Sequence, residues 1–178
     1  MKFQIRRFTK LKSTNTTALK EASRGAPEGL VVLADYQTNG RGQFDRKWLS
    51  PRGKNLLFSV LLRPAILPNR APLLTQIAAH AVAKVLKHQF HLPVTLKHPN
   101  DILVKNKKIC GILVESSSST KRTLDCAVIG IGLNVNAQAD ELLPEATSIK
   151  TEQKGRSTSR SALLRQILNQ LDADLQAL

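Results

Sequence analysis

The chain alternates between short apolar runs and polar, glycine-bearing breaks, and that rhythm predicts most of its elements. "GLVVLADYQ" (29–37) is a continuous apolar run of strand length, which points to an inner strand, and "NLLFSVLLRP" (55–64) is the next strand, stopped by Pro64. "LDCAVIGIGLNVN" (124–136) is another strand, and its Gly130 and Gly132 mark places where something approaches the backbone closely. "PLLTQIAAHAVAKVLKHQF" (72–90) carries apolar residues four apart in two rows, Leu73, Ile77, Ala81, Val85 and Leu74, Ala78, Val82, Leu86. Together they form the wide stripe of a core-facing helix. "STNTTALKEASR" (13–24) predicts a short helix ended by Gly25 and Pro27, and "SRSALLRQILNQLDADLQAL" (159–178) a closing one with Leu164, Leu168, Leu171 and Leu175 on one side.

Between these lie "LPVTLKHPND" (92–101), a strand running into a turn, and "ILVKNKKICGILVES" (102–116), a hairpin folded about Asn106 and Lys107. "SSSSTKR" (116–122) predicts a flexible polar loop, and 137–158 shows no period and predicts a mobile stretch. Strands and helices are interspersed and several connections are hairpin-short. The expected class is therefore α/β with a mixed sheet packed by helices.

Composition narrows the picture. With 178 residues and 42% hydrophobic content the chain can build a sizeable core, as one domain spanning 1–178. No apolar run is long enough to cross a membrane, and the basic start "MKFQIRRFTKLKS" lacks the apolar stretch of a secretory signal. Cys110 and Cys126 have no metal-ligand spacing and read as reduced thiols of a cytoplasmic protein, with no metal site expected. The net charge of +14 attracts nucleic acid, nucleotide or an acidic protein, or simply keeps the surface soluble. Five Phe, one Tyr and one Trp are few for stacking single-stranded bases.

Four stretches carry candidate chemistry. In "QTNGRGQFDRKW" (37–48), Gly40 and Gly42 permit close backbone approach to a ligand. Arg41 offers a planar fork suited to phosphate or carboxylate, with Gln43, Arg46 and Lys47 as further donors. Taken alone, this is equally a flexible surface turn, and it is neither a Walker loop nor a dinucleotide fingerprint. In "KHPND" (97–101), Asn100 and Asp101 provide acceptors at a strand end, or an ordinary Asx turn. Lys108 precedes "ICGILVE", where Gly111 opens room beside a strand, and "STN" at 13–15 either caps a helix or lines a site.

The order of these pieces is more specific than any one of them. "STN", "YQTNGRGQFDRKW", "KHPNDILVKNKKICGILVE" and "IGIGLNVN", in this sequence and spacing, resemble the catalytic domain of biotin–protein ligases over about residues 10–136. The Arg-Arg…Gly-Gly-Gly signature of lipoate–protein ligases is absent. The resemblance implies the class II aminoacyl-tRNA synthetase-like fold of biotin and lipoate ligases. It implies activation of biotin by ATP with Mg²⁺, then transfer to a lysine on the biotin carboxyl carrier protein of acetyl-CoA carboxylase. Ser13, Thr14 and Asn15 would line the biotin end, and Gln37 would contact biotin or the adenylate. Gly40, Arg41, Gly42 and Gln43 would form a loop that orders over the ligand. Lys108 would hold carbonyl and phosphate oxygens as charge develops, with Arg41, Lys97 and Arg46 as further phosphate contacts. Gly111 would leave space at the ligand, Asp101 would orient or deprotonate the incoming lysine, and Asn134 would meet the adenine or the metal.

The chain departs from the family pattern at Gln43, where a second arginine is usual, at Asp45, where glycine is usual, and at His98, where tryptophan is usual. The family's C-terminal β-domain is not expected after residue 178, nor, with "STN" at residue 13, is the DNA-binding helix-turn-helix of some members expected before it. The charge is therefore not read as that of a repressor, and neither nucleic acid nor membrane is an expected partner. A lipoate or octanoyl transferase of the same fold, a basic nucleic-acid-binding module, and a ligase that binds biotin without transferring it are the rival readings.

Overall fold

A computed structural model describes residues 1–44, 46–120 and 122–176. Asp45, Lys121 of the predicted polar loop, and Ala177 and Leu178 of the predicted closing helix lie outside the described residues. The elements in chain order are β1 (Gln4–Phe8), α1 (Thr14–Ser23), β2 (Leu30–Ala34), β3 (Leu56–Leu62), α2 (Ala71–Phe90), β4 (Val94–Lys97), β5 (Asp101–Val104), β6 (Lys107–Ser117), β7 (Cys126–Leu133), α3 (Ile149–Glu152) and α4 (Arg160–Leu175). The strands form one seven-stranded sheet, ordered β1-β2-β3-β7-β6-β5-β4. β1 and β2 run parallel and every other neighbouring pair is antiparallel, so the sheet is mixed, as the short connections predicted.

Strands β2 and β3 are buried at every position because helices cover both faces of the sheet. Their side chains alternate between two cores, as the pleat requires. Val31, Leu33, Phe58 and Val60 point into the larger core against α2 and α4, while Leu30, Val32 and Leu61 pack with Ala18 and Ala22 of α1. On α2 the row Leu74, Ala78, Val82, Leu86 is fully buried; Leu73 at the helix start is exposed and Ile77 half-buried, so the stripe is centred on one of the two predicted rows. Truncating Leu86 to alanine in this packed core would cost about 2–5 kcal/mol. Ser159 caps α4, whose Leu163, Leu164, Ile167, Leu168 and Leu171 complete the larger core.

One strand was not foreseen, and two expectations need correction. The basic N-terminus contains β1, whose residues are almost all exposed. An edge strand needs only a backbone partner, and β1 finds it in Leu30–Ala34, so no apolar pattern announces it. The β5–β6 hairpin turns at Lys105–Asn106, one residue earlier than expected, and Lys107 pairs with Val104. Both turn residues have positive φ, 49° and 65°, the left-handed pair that a two-residue hairpin requires. Residues 137–158 are not an unattached stretch. Ala137, Thr147, Ser148 and Ile149 are buried, and Ser148 caps α3 by accepting from the Thr151 N–H at 3.1 Å. This strap is pinned to the start of β6: Lys108 N–H donates to Glu145 O at 2.8 Å and Thr147 N–H to Lys108 O at 2.9 Å. Backbone bonds, not an apolar period, hold it.

Candidate active site

A cleft of about 670 Å³ opens over β6 and β7, between the start of α1, the loop after β2, the β4–β5 turn and the strap. Its floor is polar and buried. Ser13 caps α1, accepting from the Thr16 N–H at 3.4 Å, and Thr14 and Asn15 turn inward behind it. "STN" therefore both caps a helix and lines the cleft. Gln37 Oε1 accepts from the Thr14 N–H at 2.7 Å and lies 3.0 Å from the Thr14 hydroxyl. Ser59 Oγ lies 2.6 Å from Asn15 Oδ1 and 2.7 Å from Thr14 Oγ1. Asn15 Nδ2 donates to Leu113 O at 3.1 Å and to Glu115 at 2.8 Å. With one amide face on a hydroxyl and the other on two acceptors, Asn15 has a single satisfied orientation.

The glycines of the strands explain how side chains come this close. A Cβ on Gly130 would stand 2.1 Å from Asn15 Oδ1. On Gly132 and Gly111, which are register partners across β6 and β7, a Cβ would stand 2.5 Å and 2.8 Å from the Trp48 ring. What approaches the backbone at Gly130 and Gly132 is thus the protein's own Asn15 and Trp48. The indole lies on bare backbone, and its buried Nε1–H has no partner among the described residues.

Charge gathers opposite the floor. Lys108 Nζ lies 2.7 Å from Asp101 Oδ1 and 5.4 Å from the centre of the Trp48 ring. Arg41 Nη2 donates to both oxygens of Glu115, at 2.9 and 2.7 Å. Arg46, Lys47 and Lys97 also face the cleft. The loop that carries Arg41 is a closed turn: Trp48 N–H donates to Gly40 O at 2.9 Å and Gly42 N–H to Arg46 O at 2.7 Å.

Ser13, Thr14, Asn15, Gln37, Arg41, Gly42, Gln43, Lys97, Asp101, Lys108, Gly111 and Asn134 all line this one cleft. Gly40 does not. It sits beneath the loop, where a Cβ would meet Trp48 O at 2.6 Å. Asn134 Oδ1 accepts from Asn55 Nδ2 at 2.9 Å, and Asn55 Oδ1 accepts from the Val135 N–H at 3.0 Å, so a second buried amide orients the first. Sequence reasoning missed Asn55, Ser59, Trp48 as a site wall, and Glu115. A signal existed for Ser59, the only hydroxyl inside the apolar run of β3, and for Asn55 at the mouth of the same run. Cys110 and Cys126 are both free and buried, and burial pushes the Cys110 thiol well above its ordinary range. At the strap, the Gln138 backbone N–H and then Lys54 hold the Glu141 carboxyl below its usual value. No helix is long and apolar enough to cross a membrane among the described residues.

A mixed α/β sheet carries a cleft with a buried amide-and-hydroxyl floor, walled by Arg41, Arg46, Lys47, Lys97 and Lys108 together with the carboxylates Asp101, Asp140, Glu141 and Glu145. Residues 7–134 match the biotin/lipoate A/B protein ligase family, and the chain belongs to it. It is 40% identical over 162 residues to the bifunctional ligase/repressor BirA of Bacillus subtilis, covering 89% of this chain and 49% of that protein. It is 32% identical over 166 residues to the biotin–[acetyl-CoA-carboxylase] ligase of Mycobacterium tuberculosis, covering 90% of this chain and 60% of that protein. Among solved structures, the biotin protein ligase of Aquifex aeolicus in complex with biotin and ATP superposes with a TM-score of 0.81 at 30% identity, over 97% of this chain and 70% of that one. The fold is thus that of the biotin protein ligase catalytic domain. The chain spans about half the length of the BirA relative it matches.

Proposed function

We propose that residues 1–178 act as one catalytic domain that joins biotin to a lysine of a carboxyl carrier protein at the expense of ATP. The observation that carries this reading is the meeting, in one cleft, of the buried Thr14–Asn15–Gln37 floor with the Lys108 and Arg41 cations. The floor presents the fixed donors and acceptors that a ureido group needs. In this reading the cations offset the repulsion between a carboxylate and a polyphosphate. In the first step a biotin carboxylate oxygen bonds to the α-phosphorus of ATP, the bond from that phosphorus to the bridging oxygen breaks, and pyrophosphate leaves. Two anions meet in that step, and preorganised cations at the developing charge lower its barrier. In this reading Lys108 contacts the α-phosphate and carbonyl oxygens, and Arg41, Lys97 and Arg46 of the same cleft are further phosphate contacts. In the second step the acceptor lysine nitrogen attacks the carbonyl carbon of the mixed anhydride, the bond to AMP breaks, and the amine loses a proton. In this reading Asp101, which is ion-paired to Lys108, orients or deprotonates that amine.

Magnesium belongs with the nucleotide in this reading. Among the described residues no group of three or more His, Cys, Asp or Glu converges as a cage. Mg²⁺ commonly rides on substrate phosphates, one or two carboxylates and water. Asn134, held by Asn55, faces the same cleft and suits the adenine side. Two free buried thiols suit a cytoplasmic, reducing location. Incubation with ATP, Mg²⁺, biotin and an acidic carrier domain, followed by mass spectrometry of the carrier, tests the proposal. A mass gain of one biotinyl group is expected. A gain only with lipoate or octanoate in place of biotin would move the chain to the other branch of its family.

A further inference from the structure

Ser59 is fully buried in the middle of β3 and does not line the cleft, yet it touches two residues that do. Four oxygens stand in a row there: Gln37 Oε1, Thr14 Oγ1, Ser59 Oγ and Asn15 Oδ1, with successive spacings of 3.0, 2.7 and 2.6 Å. Both ends of the row can only accept. The Thr14 backbone N–H, which can only donate, turns Gln37 Oε1 inward at 2.7 Å. Leu113 O, which can only accept, takes Asn15 Nδ2–H at 3.1 Å and so leaves Oδ1 facing Ser59. The row therefore has three contacts and the hydrogens of only two hydroxyls to fill them. One contact stays without a hydrogen whichever way the hydroxyls turn. Asn15 Oδ1 rests on the Gly130 backbone, so the end of the row that a ligand can reach is the longest contact, between Thr14 and Gln37.

We infer that Ser59 is a positioning residue that sets the polarity of the floor: it leaves the row one hydrogen short, so the cleft takes a head group that donates N–H to Thr14 Oγ1 and Gln37 Oε1. The arithmetic assigns this to Ser59. It brings two contacts and one hydrogen, and without it the Thr14 hydroxyl has Gln37 alone to serve. Buried oxygens without a donor are costly, and an incoming N–H relieves that cost as it binds. A head group without N–H leaves the shortage in place and also displaces the water that could have met it. The inference rests on the functional reading above and deepens it. The cyclic urea of biotin carries two N–H donors, whereas the dithiolane of lipoate and the alkyl end of octanoate carry none, so a serine that no ligand touches helps to choose between the branches of the family.

Ser59→Ala tests this by calorimetric titration with biotin. Its affinity is expected to fall about tenfold, the worth of one buried hydrogen bond, with the KM for ATP unchanged. Thr14→Val, which also ends the shortage, should lose a similar amount, and the double variant no more than either alone. Wild-type affinity in Ser59→Ala, or losses that multiply in the double variant, overturns the proposal. A second arm uses two small probes on the wild-type protein: 2-imidazolidinone, a cyclic urea, and ethylene carbonate, the same ring with oxygen in place of each N–H. The NMR signals of the Thr14 backbone amide and the Gln37 side-chain amide are expected to move with the urea and not with the carbonate, and this contrast should shrink in Ser59→Ala. Equal shifts with both probes, or none with either, ends the donor rule even if biotin binds. The same contrast in a protein that fails to bind biotin would sink the biotin reading and leave the polarity of the floor standing. If Ser59→Ala does not fold, Thr14→Val and the two probes decide by the same outcomes.

Discussion

The floor of the cleft and its outer wall are built on opposite principles. Thr14, Asn15, Ser59, Asn55 and Asn134 are all at most 4% exposed, and each has a protein partner that fixes its orientation. Arg41, Phe44, Arg46 and Lys47 are exposed, and their loop is closed by a few backbone bonds and one ion pair. A buried amide must be satisfied and so can recognise a ligand only in one pose, which serves selection. An exposed cation can shift toward charge wherever it develops, which serves chemistry and closure at the cost of rigidity. Trp48 joins the two: its backbone belongs to the loop and its ring rests on the glycines of the floor.

The largest effect that separates floor from wall should come from Lys108, the cation rooted in a strand. Lys108→Ala is expected to slow biotin-dependent pyrophosphate exchange about a hundredfold, the usual loss for one preorganised donor. Adding Asp101→Asn should recover any lost stability, because it relieves the stranded carboxylate, without restoring the rate. Wild-type exchange in Lys108→Ala would remove this residue from the chemistry. Next in size is a change to the floor itself. Gly130→Ala forces Asn15 out of its place and should weaken biotin binding about tenfold, the worth of a lost buried hydrogen bond. Calorimetric titration reads this, and an unchanged affinity would mean that Asn15 plays no part in recognition.

The wall should respond more mildly. Gln43 offers a neutral amide where related loops carry a guanidinium, and hydrogen bonds to charged groups are stronger by about 1 kcal/mol. Gln43→Arg is therefore expected to slow the escape of pre-formed biotinyl-adenylate several-fold. If escape is unchanged, Arg46→Ala should speed it instead, which would show that Arg46 already supplies the charge. Smallest is the response to salt. Exposed cations steer an acidic carrier domain only within a Debye length of roughly 8–10 Å. Raising salt should lower the second-order transfer rate about twofold while leaving adenylate formation at saturating ligands nearly constant. Equal salt sensitivity of the two steps would erase the distinction between wall and floor.

Much of this was legible in the chain. The run 30–34 read as an inner strand, because five apolar residues in a row leave no polar face for solvent, and 56–62 and 126–133 read as strands. The glycines of "IGIG" announced a close approach before its cause was visible. The ordered motifs placed almost every candidate residue in a single cleft. Other features carried no local signal. β1 is a strand only because β2 lies beside it, and the strap 137–158 is ordered by backbone bonds to Lys108, Asn134 and Val135 and by the burial of Ile149 in the core.

The amino-acid order by itself determined the α/β class, the inner strands, the two long helices and the candidate site residues, because each depends on periodicity or on short motifs that neighbours in sequence complete. Only the tertiary structure decided which partner each polar group takes. Glu115 meets Arg41 across 74 positions and Asn15 across 100, and Ser59 reaches Asn15 across 44. No local pattern encodes such pairings. They arise when the sheet sets β3, β6 and β7 side by side beneath the start of α1, where buried donors and acceptors must find one another because water is absent.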